Sequence, residues 1–153
     1  MSFREKMAWV SIAVTLAVWG FYFFEFSQLV SGGRATAGDL MELFVGCVVL
    51  TIVVEIVLAI AVAATSAKAA NSPADERERL IELRATRIAY AILSVGVVFV
   101  ALASPVAALG GPHVLKDPTE DVVLITANGV LFALIAAELV RSAAQVIGFR
   151  RGV

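Results

Sequence analysis

The sequence predicts an all-α, polytopic membrane protein whose four transmembrane helices form two tandem hairpins. Three observations carry that reading. Of the 153 residues, 60% are hydrophobic and only 16% are charged, with a mean hydropathy of +0.92, whereas a soluble domain carries about a quarter charged residues. The apolar residues gather into four stretches of about 20, each long enough to cross a hydrocarbon core of about 30 Å. None shows the period-two alternation of a barrel strand, and in lipid only helices and closed barrels satisfy their own backbone polar groups.

The first span runs from about Met7 to Val30. It follows Met1-Ser2-Phe3-Arg4-Glu5-Lys6, a charged opening like that of a signal peptide. The apolar run is too long for a signal core and no small-residue cleavage site follows it, so a retained helix is expected. Ser31-Gly32-Gly33-Arg34 breaks the pattern. The second span covers about Asp39 to Ser66, the third about Arg87 to Leu109 and the fourth about Asp121 to Gly148. Gly110-Gly111-Pro112-His113 and Lys116-Asp117-Pro118 form the turn between the last two. Ser72-Pro73-Ala74-Asp75 reads as a helix start, with Ser72 as N-cap, Pro73 in the first position and Asp75 as the capping-box acid. No breaker follows, so one helix is expected from about Pro73 to Leu109, its segment 73–86 standing outside the membrane. All of this is one domain.

Orientation follows from the basic residues. With both termini cytoplasmic, Arg4, Lys6, Lys68, Arg77, Arg79, Arg84, Arg87, Arg141, Arg150 and Arg151 lie inside, and only Arg34 and Lys116 lie outside. The positive-inside rule selects that arrangement, a multi-pass protein with both termini cytoplasmic. Trp9 and Tyr90 are expected as inner interface anchors, and Phe21-Tyr22-Phe23-Phe24 as outer ones. The halves also look alike. Lys6-Met7-Ala8-Trp9 matches Arg87-Ile88-Ala89-Tyr90, and Val53-Val54-Glu55-Ile56-Val57 matches Ala136-Ala137-Glu138-Leu139-Val140. Each unit crosses twice, so a duplication would be a parallel repeat about an axis along the membrane normal.

Several function classes drop out. A net charge of −1 offers no footprint for direct nucleic-acid binding. The single cysteine, Cys47, excludes an intramolecular disulfide, and the single histidine, His113, excludes bis-histidine haem ligation within the chain. No phosphate-binding loop, nucleophile elbow, zinc-protease motif or Cys-x-x-Cys is present, so no catalytic residue, cofactor or metal is expected. Cys47 reads as a small packing residue, and Asn128 as an interhelical hydrogen-bond donor.

Charges at membrane depth are the first candidates, because a central acid or base costs about 2.5–3.5 kcal/mol even on lenient insertion scales. Glu55 lies within the second span. Glu138 and Arg141 lie in the inner half of the fourth, three residues apart on one face. The expected arrangement is a structural cluster in which both carboxylates clasp Arg141, with Ser142 and Gln145 nearby; the sharper reading makes one glutamate a proton or cation site. Thr51, Glu55, Ala59 and Ala63 form a small, polar stripe, as do Gly129, Ala133, Ala137 and Arg141. On the outer side stand Glu25, Asp39, Glu42, His113, Asp117, Glu120 and Asp121. They lack fixed ligand spacing, and Asp39, Glu120 and Asp121 are better explained as helix caps. Glu25 needs a partner, with Arg34 the nearest candidate. On the inner extension, Leu80 and Leu83 lie on one face beside Ile81, flanked by Arg77 and Arg84. That face can dock in a partner's groove. From Asp75 to Arg84 four acids offset three bases, so little net attraction to anionic lipid is expected.

The opening Met1-Ser2-Phe3-Arg4-Glu5-Lys6-Met7-Ala8-Trp9, the run Asp75-Glu76-Arg77-Glu78-Arg79-Leu80-Ile81-Glu82-Leu83-Arg84-Ala85-Thr86-Arg87-Ile88-Ala89-Tyr90 and Glu138-Leu139-Val140-Arg141 together resemble a family of small four-helix bacterial inner-membrane proteins of uncharacterised function. Many of its members carry an Asp-Glu-Arg-Glu loop before the third helix, and some resemble products encoded beside small helix-turn-helix regulators. The resemblance spans nearly the whole chain through short motifs. It implies a regulatory or partner-binding role, with a cytoplasmic regulatory protein or a second copy as partner besides the bilayer, and it assigns no catalytic residues. In its four short helices and embedded glutamate the chain also looks like the small multidrug exporters. It departs from them because Glu55 lies in the second helix and Arg141 is close by, so a small proton- or cation-coupled transporter working through Glu55 or Glu138 is the alternative.

Overall fold

Helix boundaries follow from local chemistry. Thr36 and Asp39 form a reciprocal cap: the Thr36 hydroxyl donates to Asp39 Oδ2 at 2.7 Å, and the Asp39 amide donates to Thr36 Oγ1 at 3.2 Å. In the same way the Glu78 amide donates to Asp75 Oδ1 at 2.7 Å, which makes Asp75 the cap of the helix that follows. Ser72 and Pro73 lie outside the residues described by this computed structural model, which are 3–32, 36–65, 75–110 and 118–151. Those residues form α1 (Phe3–Ser31), α2 (Ala37–Thr65), α3 (Glu76–Gly110) and α4 (Pro118–Arg151), with no strand among them. All four helices are long and apolar enough to cross a membrane. The molecule is an all-helical, multi-pass membrane protein.

The helices do not contribute equally to the packing. Among the described residues α3 packs along α4, while α1 packs on both α2 and α4. The row runs α2–α1–α4–α3, with no α2–α3 contact of comparable extent to close it. A parallel repeat would relate α1 to α3 and α2 to α4, so the α1–α4 contact would need an α2–α3 counterpart. The hairpins share an orientation, but their packing is asymmetric.

Close approach holds α3 to α4. A Cβ added at Gly96 would lie 2.8 Å from Ala133 Cβ, one at Gly129 would lie 2.7 Å from Val100, and one at Gly148 would lie 2.7 Å from Ile81. The Thr126 and Ser104 hydroxyls bond across the same seam at 2.8 Å. The facing numbers rise on α3 as they fall on α4, so one antiparallel register runs from the outer half to beyond Arg87. Small residues at such a seam let backbones approach, which is how helices associate in lipid. At about 1.5 Å per residue, the 35 residues of α3 and 34 of α4 span roughly 50 Å against a hydrocarbon core of about 30 Å. Both helices are therefore longer than the hydrocarbon core is thick, and they run side by side.

The second seam joins α1 to α2 and α4. Val14, Val18, Tyr22, Cys47, Leu131 and Ile135 form its buried cluster, with Trp19, Phe23, Phe26 and Phe44 packed against it. Cys47 is the packing residue its chemistry predicted. Tyr22 corrects an expectation: it is buried and its hydroxyl donates to Asn128 Oδ1 at 2.7 Å, while Asn128 Nδ2 donates to the Leu124 carbonyl. Asn128 bridges helices as acceptor, not donor. Phe21 and Phe24 face outward, since at about 100° per residue the four aromatics cannot share one face. Trp9 and Tyr90 are exposed, and the Arg150 guanidinium lies 5.6 Å from the Trp9 ring centre.

Gly96 tests the α3–α4 seam. Gly96→Val is expected to force the backbones apart and destabilise the protein by about 1–3 kcal/mol. Gly20→Ala and Gly46→Ala, where nothing lies within 4 Å of the new methyl, should be neutral or stabilising by up to about 1 kcal/mol. Thermal unfolding in dodecyl maltoside reads the difference.

Candidate functional site

At the basic end of the molecule the open row of helices leaves a cleft of about 460 Å³. All four helices line it: Arg4 and Ser11 from α1, Glu55 and Ala59 from α2, Glu78 and Glu82 from α3, Arg141, Ser142 and Gln145 from α4. Apolar walls come from Phe3, Met7, Val10, Ile56 and Phe149.

The predicted cluster of Glu55, Glu138 and Arg141 does gather here, but not as expected. Glu138 alone clasps Arg141, with Arg141 Nε donating to Oε2 at 3.0 Å and Nη2 to Oε1 at 2.6 Å. The Ser11 hydroxyl donates to Glu138 Oε1 from α1 at 3.3 Å, and that of buried Ser142 lies 3.5 Å from the same oxygen. Glu55 lines the cleft and lies within the electrostatic reach of Arg141, as does Glu82. Yet among the described residues Glu55 makes no hydrogen bond or ion pair. The reason is topological: α2 packs on α1 and has no extensive contact with α4, whereas Glu138 is one turn from Arg141 on the same helix.

Three charged residues join the cleft that sequence reasoning did not place there. Arg4 Nε donates to Glu78 Oε2 at 2.9 Å, and its Nη1 lies 4.0 Å from Glu82 Oε2, so α1 reaches α3 across the mouth. The four-residue spacing of Glu78 and Glu82 marks one face of a helix, but only the packing says that Arg4 meets it. A further inter-helix pair joins Arg150 to buried Glu5 at 3.3 Å.

The predicted docking residues separate onto two faces. Ile81 is 3% exposed and seats against Gly148 of α4, so it belongs to the α3–α4 seam and not to a free face. Leu80 and Leu83 are exposed at 53% and 64%. Arg77, Arg79, Arg84 and Arg87 are exposed beside them, while Glu78 and Glu82 turn toward Arg4. The near balance of charge along this segment becomes a basic outer face and an acidic inner one.

On the opposite end, Thr36 caps α2 with Asp39 as its capping-box acid, and Asp121 is buried in the first turn of α4. His113, Asp117 and Arg34 lie outside the described residues. Glu25 is half-buried and has no polar partner among the described residues. No group of three metal-binding side chains converges among the described residues. No known protein family, curated protein or solved structure matches the chain.

The Glu138–Arg141 pair is half-buried, with side chains 34% and 36% exposed. Arg141→Ala is therefore expected to cost about 1–2 kcal/mol, below the 3–5 kcal/mol of a fully buried pair. Adding Glu138→Ala should recover part of that loss by removing the stranded carboxylate. Exposed Arg79→Ala should stay within about 0.5 kcal/mol of the parent, all read as melting shifts in one detergent.

Proposed function

We propose that the protein is a non-enzymatic component of the bacterial inner membrane, with both termini cytoplasmic, that holds a cytoplasmic regulatory protein on the outer face of α3. One observation carries this reading: Leu80 and Leu83 stand exposed on a helix that Ile81 braces against α4. A braced helix loses little conformational freedom on binding, so its apolar anchors contribute more of their burial to affinity. The surrounding arginines select a partner whose groove is rimmed by carboxylates. The family resemblance in the Asp-Glu-Arg-Glu segment points the same way. Crosslinked capture from native membranes tests it. Leu80→Ser with Leu83→Ser should abolish recovery of a specific partner, and Arg77→Glu with Arg84→Glu should weaken it, while Val106→Ser in the membrane part of α3 leaves it intact. Recovery of the same proteins by the leucine double mutant would refute the docking face.

A second reading, a small proton- or cation-coupled transporter, is favoured by the position of Glu55, a carboxylate in the cleft that makes no hydrogen bond or ion pair among the described residues. Glu138 is a poorer carrier because Arg141 already holds both of its oxygens. Under this reading Glu55→Gln abolishes coupled flux in proteoliposomes and leaves the melting temperature unchanged; equal flux in the two proteins would exclude it.

A further inference from the structure

The outer side of α3 is one continuous stripe made of two kinds of surface. Arg84, Ile88, Ala91, Val95, Val98 and Leu102 follow one another at intervals of three or four residues, the spacing of a single helix face, and all six are exposed. Val95 and Leu102 are each 71% exposed, because the extensive contact of α3 is with α4, on the other side of the helix. Arg87 stands three residues beyond Arg84, and Tyr90, also 71% exposed, three beyond Arg87. From Ile88 to Val98 the stripe is apolar over about 15 Å, the hydrocarbon thickness of one leaflet.

A basic end joined to a long apolar side is the complement of an amphiphile with an anionic head. Arginine meets a phosphate in two-point contact, and a tyrosine at headgroup level keeps its ring in hydrocarbon and its hydroxyl in the polar layer. The acids of the same segment stand apart from this face. Glu82 lies two residues from Arg84, hence on the opposite side of the helix at about 100° per residue, 4.0 Å from Arg4, and Glu78 is bonded to Arg4 at 2.9 Å. Glu76 is exposed eight residues before Arg84, about 12 Å along the axis and beyond a Debye length of about 8–10 Å. Residues 66–74, outside the described ones, bring a single ionisable side chain, that of Lys68, which is basic. The near-neutral sum of the segment, which argues against attraction to anionic lipid, therefore does not describe the face that α3 turns to the bilayer. A zwitterionic head would offer the arginines its phosphate but set its own ammonium against them.

We propose that this face of α3 holds an anionic phospholipid of the surrounding bilayer, its phosphate between Arg84 and Arg87 beside Tyr90 and an acyl chain along Ile88, Val95 and Val98. The inference goes beyond the docking of a cytoplasmic protein. The lipid lies on the membrane side of Leu80 and Leu83, and Arg84 borders both faces. Lipid retention is measured on the purified protein with no partner present, so its failure and the failure of partner capture are distinguishable.

The test is native mass spectrometry of the full-length protein released from dodecyl maltoside micelles that contain equal amounts of phosphatidylglycerol and phosphatidylcholine with the same acyl chains. A basic residue near an anionic lipid surface is worth about fivefold in affinity, so two arginines should favour phosphatidylglycerol by at least about tenfold. Arg84→Gln with Arg87→Gln should bring the preference to within about threefold of parity, and Arg84→Lys with Arg87→Lys should keep most of it. Arg150→Gln with Arg151→Gln removes the same charge from the end of α4 and should leave the preference in place. Excess glycerol phosphate, a headgroup without chains, should not displace the lipid. Equal retention of the two lipids by the parent overturns the proposal, as does an equal loss in the two glutamine double mutants, which marks diffuse attraction to the basic end. Displacement by glycerol phosphate overturns the acyl-chain seat, and a dimer that retains no lipid gives the face to a second copy instead. If the Arg84→Gln, Arg87→Gln protein fails to fold, Arg87→Gln alone decides: a loss of about fivefold is expected, and an unchanged preference overturns the proposal.

Discussion

The antiparallel seam between α3 and α4 is the contact on which the rest of the molecule depends. It is built from Gly96 on Ala133, Val100 on Gly129 and Ile81 on Gly148, pairs in which one side chain is absent or minimal. In lipid no hydrophobic force drives helices together, so close van der Waals contact and a few polar bonds must do it. The seam does not stop where the apolar residues stop. Because Ile81 and Gly148 extend it past Arg87, the charged start of α3 is a braced strut, and the rotation of that strut is set. Ile81 points to α4, Glu78 and Glu82 to Arg4, and Leu80, Leu83 and the arginines outward.

The electrostatics show proximity along the chain outweighing composition. Glu55 and Glu138 occupy matching positions in the two hairpins, and both lie near Arg141. The guanidinium is planar and presents paired donors, which suit one carboxylate in two-point contact. Glu138 fills that geometry from one turn away, with Ser11 and Ser142 at its remaining lone pairs. The position three residues after Glu55 is Leu58, so the second helix has no arginine of its own. One acid is therefore consumed by structure and the other stays open to the cleft.

The asymmetry of the helix row gives the cleft its existence. Had α2 packed on α3 as α1 packs on α4, the interior at the basic end would have closed. Instead α1 serves two neighbours through Tyr22, Val18 and Val14, while α2 and α3 lie at the ends of the row with long apolar faces turned outward. Arg4 spans the resulting gap to Glu78 and Glu82. At the other end of α1 the aromatics around Tyr22 fill the space, with Phe23 edge-on at 5.2 Å, Trp19 edge-on at 5.7 Å and Phe26 stacked at 6.0 Å between ring centres. The cavity is thus confined to the basic end.

By itself the sequence determined the number of helices, their order and their membrane character. These are properties of residues a few positions apart: an uncharged run of about 20, a paired glycine, acidic residues near a helix start. The grouping of Glu138 with Arg141 was legible for the same reason, being a matter of one helical turn. What only the tertiary structure decided is which helix meets which, because four apolar helices of similar composition carry no strong pattern that selects a neighbour. That choice left Glu55 near Arg141 without a bond to it, brought Arg4 onto Glu78, turned Tyr22 inward and seated Ile81 on Gly148. It also converted a nearly neutral segment into a helix with a basic outer face and an acidic inner one, since net charge is a sum over residues whereas a face exists only once a helix has a neighbour.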